Sequence, residues 1–563
     1  MNHLLKKYCP RIEFDSYEDF FENFSIEIPE NFNFAYDVVD EWARVEPEKR
    51  ALVWCDDDDN EKVMTFTDVA RMSDRLALAL SAQGVTKGDV ALLMLRQRWE
   101  YWICAVALNK IGAVIIPATT QLTAKDIVYR ADAASVKIVI ALDDGRLLEQ
   151  VETACEEAQS IELRITVNAP VARDGWLLWE DLIDEATGEW TRPVGVDATS
   201  NEDIMLIYFT SGTTGLAKMC CHNYVHPLGH ILTAKYWQQV REDALHCSVT
   251  DSGWAKFGWG KIYGQWIAGA TIFAFDTVRF NPLRLLERIE RYRVTTFCVP
   301  PTMYRFMLQE DVARFDLSSV ENFATAGEPL NAEVTRQWER ITGKKIREGF
   351  GQSEGPVLLA TFPWVEPRPG SMGKPSPLLN IALLDDRGAP VPEGDEGNIC
   401  ITRLKEAYPP GLFVGYYRDP ERTADSVGGE YYDLGDGAWR DVDGYYTFVG
   451  RSDDVIKCSG YRISPFEVES VLIEHAAVVE CAVTSAPDEV RGSVVKATVV
   501  LAKGFEPSSA LVTELQEHVK AATAPYKYPR VIEFTDELPK TIGGKIKRAK
   551  IRTEDAGGVW HDQ

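Results

Sequence analysis

Along the first two hundred residues the apolar positions follow two periods. Spacing of three and four puts apolar residues on one face of helices over 66–83, 101–111 and 124–134. Between them, β-branched runs at 90–95, 113–117 and 136–141 are apolar without interruption, as strands covered on both faces require. Alternation of the two predicts a parallel α/β sheet. The scheme returns over 240–360, with strands expected at 270–275 and 295–299 and helices at 282–292 and 332–342. From about 370 to 450 the texture changes. Gly- and Pro-rich segments at 369–377, 390–397 and 408–411 separate short strands and predict a β-rich subdomain. Beyond 450, helices over 465–474 and 509–522 with strands over 478–485 and 494–501 form a block of independent-domain size. A charged, turn-prone stretch at 451–454 follows the strand-like 446–449 and sets the boundary. The fold class is α/β: a large domain over 1–452, built of two parallel-type α/β subdomains plus the β-rich one, and a small α+β domain over 453–563.

Composition narrows the function classes. With 563 residues, 45% hydrophobic and 26% charged, the chain exceeds a short binding module and has the apolar content of a large core. The balance of 60 Lys and Arg against 86 Asp and Glu gives −26, a field that repels nucleic acid. The longest apolar stretches, 101–117 interrupted by Lys110 and 263–275, fall short of the roughly 20 residues of a spanning helix. The first residues carry no apolar core of signal-peptide length, and eleven scattered cysteines without a Cys-x-x-Cys suit free thiols, so the expected location is cytoplasmic.

The strongest chemical signal is the succession Thr210, Ser211, Gly212, Thr213, Thr214, Gly215, Leu216, Ala217, Lys218, after the apolar 204–209. Glycines, hydroxyls and a terminal ammonium can converge on a phosphate chain, with a nucleoside triphosphate as the natural guest. It is not a Walker A loop: the spacing differs, and Met219 stands where a Mg2+-binding Ser or Thr would be. Four further segments follow in order: Thr325 to Pro329, Glu348 to Glu354, Tyr432 to Asp436 continuing to Gly450 and Arg451, and Pro539 to Lys545. Together these resemble the ordered motifs of the adenylate-forming superfamily of acyl-CoA synthetases, peptide-synthetase adenylation domains and luciferases, over roughly 35–550. The segments 457–465, 487–496 and 524–530 resemble medium-chain acyl-CoA synthetases within it.

The resemblance implies ATP, Mg2+ and CoA as co-substrates and cofactor, and a small domain that is mobile. It makes Thr210, Ser211, Gly212, Thr213, Thr214, Gly215 and Lys218 the phosphate loop, and Glu354 the Mg2+ ligand, a hard oxygen donor suited to that ion. Gly327, Glu328, Pro329, Glu348, Gly349 and Phe350 would wall the adenine slot, Asp436 would accept from the ribose hydroxyls with Arg451 as companion, and Gln352 and Ser353 would border the nucleotide. Lys545 is the expected adenylation residue: it would touch both the acyl oxygen and the α-phosphate as two anions are brought together. Lys540 is the competing candidate in that segment. For thioester formation the resemblance implies rotation of the small domain about Asp453, with Ser459, Gly460, Tyr461, Arg462 and Arg491 at the CoA.

Acyl specificity is expected from Lys256, Trp259, Gly260, Cys298 and Gly351. Acetyl-CoA synthetases carry tryptophan at the position of Gly351, so hydrogen there opens the pocket to acids beyond propionate, with Trp259 limiting its depth. These residues point to an acyl-CoA synthetase for short-to-medium-chain, branched or arylalkanoic acids, with no integral membrane association and with a homo-oligomer left open. A ligase that loads a carrier protein, and a non-catalytic acyl or nucleotide sensor, are the alternatives. Three other signals are set aside. His222, His226 and His230 would share a helix face and invite a metal, but Pro227 interrupts the helix. The glycines at 258, 260 and 264 miss a dinucleotide fingerprint, and Asp56 to Asp59 lack the ligand spacing of a Ca2+ loop.

Overall fold

The computed structural model describes residues 3–557 apart from 172, 213–214, 452–453, 459–460, 489–491 and 541–545. The expectations for Thr213, Thr214, Asp453, Ser459, Gly460, Arg491 and Lys545 therefore fall outside the described residues.

Two sheets form the bulk of the chain. In the smaller, strands Ile204–Gly212, Val114–Pro117, Val90–Met94, Val136–Leu142 and Leu163–Val167 lie side by side and parallel, in that order. Val90–Met94 and Val114–Pro117 are buried at every position, which explains their unbroken apolar runs. The connecting helices start at side-chain caps: Thr65 and Asp68 form a capping box for Phe66–Ala82, Thr123 and Asp126 one for Ala124–Ala134. Helix Glu100–Ile111 is buried throughout. Its Lys110 survives there because Asp40 and Asp74 hold the ammonium at 2.8 and 2.5 Å. The long apolar stretch of the sequence is thus a core helix running into a core strand.

The larger sheet has parallel strands at Ile346–Phe350, Asn322–Thr325, Thr296–Cys298, Leu245–Ser248, Thr271–Asp276 and Arg50–Asp56. Strands of the expected β-rich region do not stand apart from it. Leu359–Ala360, Ser371–Pro375, Tyr446–Arg451, Tyr431–Arg440, Glu396–Thr402 and Ile381–Leu384 continue the same sheet in antiparallel fashion. One short strand of that region, Gly415–Tyr416, crosses to the smaller sheet and pairs with Gly215–Asn223. The two sheets are therefore tied together beside the phosphate-loop motif.

After residue 455 the chain builds a separate core. Strands Val478–Asp488, Gly492–Leu501 and Val531–Phe534 carry helices Pro465–Ile473 and Ser509–Ala522, around Val468, Leu472, Val483, Val499, Leu515 and Val519. Helix Arg548–Asp555 closes it through Arg548, whose guanidinium meets buried Glu469 at 2.7 Å.

Candidate active site

The phosphate-loop motif is an antiparallel hairpin, in which Thr210 pairs with Lys218 and Gly212 with Gly215. Ser211, Gly212 and Gly215 lie in its two strands. The return segment is strand Gly215–Asn223; helix His226–Ile231 starts only after it, with Pro227 in its first turn. Lys218 faces Tyr416, its ammonium 5.7 Å from the ring centroid, and the Tyr416 hydroxyl donates to Glu354 Oε1 at 3.4 Å. Burial raises the Glu354 pKa, against its own backbone amide, Lys218, Tyr416 and Arg451. Phosphate hairpin, cation and hard carboxylate thus share one locus.

Strands Tyr431–Arg440 and Tyr446–Arg451 place Asp436 and Arg451 directly opposite each other. Arg451 Nη1 stands 4.0 Å from Asp436 Oδ1, and Gln352 Nε2 donates to the other Asp436 oxygen and, at 2.8 Å, to the Leu434 carbonyl. Gln352, Asp436 and Arg451 are one constellation. Glu348 is buried, accepts from the Leu330 amide at 3.2 Å, and is pushed by desolvation to a pKa of about 8. It therefore keeps its proton near neutrality and can donate a hydrogen bond. Gly327 sits at φ +105°, a turn that an L side chain resists. The Glu328 carboxylate accepts from Thr302 Oγ1 at 2.7 Å with Arg305 3.8 Å away, and Pro329 leads into Leu330. The Phe350 ring lies 6.2 Å from that of Phe448.

A narrow cavity adjoins Gln352. Trp237, Trp259, Ala326, Gly351, Pro356 and Val357 contribute to its lining, with Gly349, Phe350 and Gly355. Trp259 and Gly351 both line it. Lys256 is buried, donates to the Ala326 carbonyl at 2.8 Å, and has its ammonium 5.9 Å from the Trp259 ring, so it stands behind the wall instead of at a solvent mouth. Gly260 and Cys298 do not line the cavity: the Gly260 carbonyl accepts from His246, and Cys298 is fully buried on its strand. Sequence reasoning missed Trp237 and Val357. No signal in the sequence marks the first; in the structure a Cβ on Gly349 would lie 2.4 Å from Trp237 Cε2, so this glycine is required by the indole.

In the small domain, Tyr461 and Arg462 lie in strand Tyr461–Ile463, paired with Ile456–Cys458. Lys540 meets Glu480 at 2.8 Å, an ion pair that occupies it. The signals set aside find structural roles. Asp56 Oδ1 accepts from the amides of Asp58 and Asn60, and Asp59 pairs with Arg291 at 3.0 Å. Among the described residues no group of His, Cys, Asp and Glu is placed to hold a metal ion.

Residues 39–417 match the family described as AMP-binding enzyme, and residues 467–545 match the AMP-binding enzyme C-terminal domain. The chain belongs to this family. Mouse acyl-coenzyme A synthetase ACSM3, mitochondrial, is 40% identical over 551 residues, covering 96% of this chain and 94% of that protein. Human acyl-coenzyme A synthetase ACSM4, mitochondrial, is 40% identical over 541 residues, covering 94% and 92%. Among solved structures, the anthranilate CoA ligase AuaEII in complex with anthranoyl-AMP matches with TM-score 0.85 and 30% identity over 94% of this chain and 98% of its own. A benzoate CoA ligase from Burkholderia xenovorans LB400 matches with TM-score 0.80 and 30% identity over 92% and 100%. This AMP-binding enzyme is an ATP-dependent acyl-CoA synthetase, which joins a carboxylic acid to CoA by way of an acyl-AMP. Its substrates are the acid, ATP and CoA; loading of a carrier protein and a sensor role are not favoured. Among its described residues, no helix is long and apolar enough to cross a membrane.

Proposed function

We propose that the enzyme activates short-to-medium-chain, branched or arylalkanoic acids, with Mg2+ held by Glu354 and adenylation driven by Lys545. The size assignment rests on one observation: the cavity beside Gln352 has hydrogen, not a side chain, at position 351, and runs between Trp237, Trp259 and Val357. With no side chain at 351, the apolar Trp237, Trp259 and Val357 are the groups that a longer or wider acyl chain would meet and that acetate is too short to reach.

The donor set beside the hairpin fits Mg2+, because Glu354 is a hard carboxylate next to a phosphate-binding backbone and a lysine. Bound there, the ion would neutralise phosphate charge. The chain's own residues do the rest. The hairpin of Thr210 to Lys218 cradles the phosphates, Asp436 accepts from the ribose while Gln352 and Arg451 orient it, and protonated Glu348 presents a donor to the adenine slot. A carboxylate needs no base to attack phosphorus, so Lys545 acts by relieving repulsion between two anions. The acid and ATP become acyl-AMP and pyrophosphate. The thiol of CoA then replaces AMP after the 453–563 domain turns on the 1–452 domain about Asp453, bringing Ser459, Gly460, Tyr461 and Arg462 to the pantetheine and Arg491 to the CoA nucleotide. Eleven free cysteines support a reducing, cytoplasmic location.

The test is pyrophosphate release with Mg2+ and ATP across acetate, butyrate, a branched C5 acid, octanoate, benzoate and phenylacetate, each with and without CoA. Turnover that depends on CoA and peaks beyond propionate is expected. A peak at acetate would refute the open pocket.

A further inference from the structure

The three histidines that cannot share a helix nevertheless meet in space. His222 comes from strand Gly215–Asn223, His226 and His230 from helix His226–Ile231. All three are buried, and their rings meet in series, the first pair tilted at 47° and the second edge-on at 78°, with centroids 3.9 and 4.4 Å apart. Burial holds each pKa below the usual histidine value, so the series is neutral and each ring has one proton to place.

The neighbours decide where those protons go. His226 Nδ1 lies 3.3 Å from the Gly411 carbonyl, which can only accept, so His226 carries its proton on Nδ1 and accepts at Nε2. His230 Nε2, 3.2 Å from His226 Nε2, must then be the donor. That leaves His230 Nδ1 to accept from Thr233 Oγ1 at 3.1 Å, and Thr233 Oγ1 in turn accepts from the Val357 amide at 3.3 Å. His222 Nε2 donates to the Ser353 carbonyl at 2.7 Å, which leaves Nδ1 an acceptor without a partner among the described residues. A single directed chain runs from the Val357 amide to the Gly411 carbonyl. From there the turn returns to the site, because the Phe413 amide donates to the Glu354 carbonyl at 2.6 Å.

Ser353, Glu354 and Val357 belong to one segment, which is therefore gripped at Ser353 by His222, at Glu354 by Phe413, and at Val357 by Thr233. We infer that His222, His226, His230 and Thr233 are positioning residues that fix the 351–357 segment, and so the Glu354 carboxylate, for the phosphates. Three neutral imidazoles replace the water that such carbonyls and amides would otherwise need, which keeps the segment rigid without adding charge beside an ATP site. The consequence for nucleotide binding rests on the role proposed for Glu354; the rigidity of the segment does not.

Thr233→Val removes the relay hydroxyl at nearly constant volume, and Thr233→Ser restores it. His222→Leu and His222→Gln form the matching pair at the other grip, since the glutamine amide keeps a donor at Nε2 reach. Amide hydrogen exchange of the 351–357 segment reads the grip directly, and titration of the full-length enzyme with Mg2+ and α,β-methylene-ATP reads its consequence. In Thr233→Val and His222→Leu the segment is expected to exchange about tenfold faster and the analogue Kd to rise about tenfold, with Thr233→Ser and His222→Gln close to wild type. Unchanged exchange in both apolar variants, or no recovery in the conservative ones, would overturn the inference. Faster exchange with an unchanged Kd would leave the grip standing and refute the role of Glu354.

Discussion

In the proposed reaction Lys545 acts only on the charge of the two anions, which makes its removal diagnostic. Lys545→Ala is expected to lower acid-dependent pyrophosphate release at least a hundredfold, while thioester formation from presynthesised acyl-AMP stays within a few-fold of wild type. Equal loss of both half-reactions would move the adenylation role elsewhere. Gly351 is the complementary case, in which a side chain is added. Gly351→Trp would add an indole to the cavity lining, starting from a Cβ 3.1 Å from the Pro356 carbonyl, and is expected to shift the kcat/KM ranking towards acetate and propionate by about tenfold. Glu348 supplies a pH signature. It is protonated in the folded enzyme up to about pH 8, whereas its ordinary value in the unfolded chain is 4.5. Between these values the folded state binds more protons than the unfolded one, so stability falls as pH rises through the window and levels off above it. Glu348→Gln cannot ionise, and the difference in Tm between variant and wild type should move in the variant's favour by about 2–4 °C from pH 5 to pH 8. A flat difference would mean that the acid is ionised in its pocket.

At the scale of elements, local patterning carried far. Helix Pro282–Tyr292 and helix Ala332–Thr342 stand at the boundaries that their periodicity and their Asn281 and Asn331 caps dictate. The motif residues Asp436, Arg451, Gln352, Glu354 and Lys218 converge on one locus, and Trp259 and Gly351 share one cavity. What periodicity cannot encode is the pairing of segments remote in sequence. That Ser371–Pro375 would pair with Tyr446–Arg451 and carry the β-rich region into the larger sheet depends on partners some 75 residues away. The convergence of His222 with His226 arises at a strand-to-helix corner that a helix-based reading of their spacing misses, and Trp237 reaches the cavity from an apolar helix with nothing in its own window to mark it. The close packing of Trp237 on strand Ile346–Phe350 has a testable cost. Gly349→Ala would put a methyl 2.4 Å from the indole, and neither the strand backbone nor a buried ring can yield without shifting the cavity wall. The variant is expected to lose about 1–3 kcal/mol of stability and to raise KM for the acid more than KM for ATP. An unchanged acid profile in a destabilised protein would separate Trp237 from the acyl wall.

For the molecule as a whole, the proposed reaction has the small domain leave one arrangement for another between its two half-reactions. In the arrangement described here, helix Pro465–Ile473 leans on helix Ala332–Thr342. Asn331 Nδ2 donates to the Ser470 carbonyl at 3.0 Å, Arg336 meets Glu474 at 3.1 Å, and the Phe448 and Phe466 rings lie 6.3 Å apart. The Arg336–Glu474 pair is partly exposed, as suits a contact that parts in the proposed rotation. Such an ion pair stabilises by at most about 1 kcal/mol, but reversing one charge adds repulsion to the lost attraction. Because an equilibrium moves only by the difference in free energy between its states, Arg336→Glu should disfavour this arrangement and leave the fold of each domain intact. Limited proteolysis in the 451–454 linker is expected to quicken about two- to fivefold, and the ratio of pyrophosphate exchange to thioester formation to change by a similar factor. Restoration of both by the double variant Arg336→Glu with Glu474→Arg would tie the effect to this contact. If linker cleavage and the ratio of half-reactions both stay at wild-type values, the rotation proposed about Asp453 does not part these helices and this contact has no share in it.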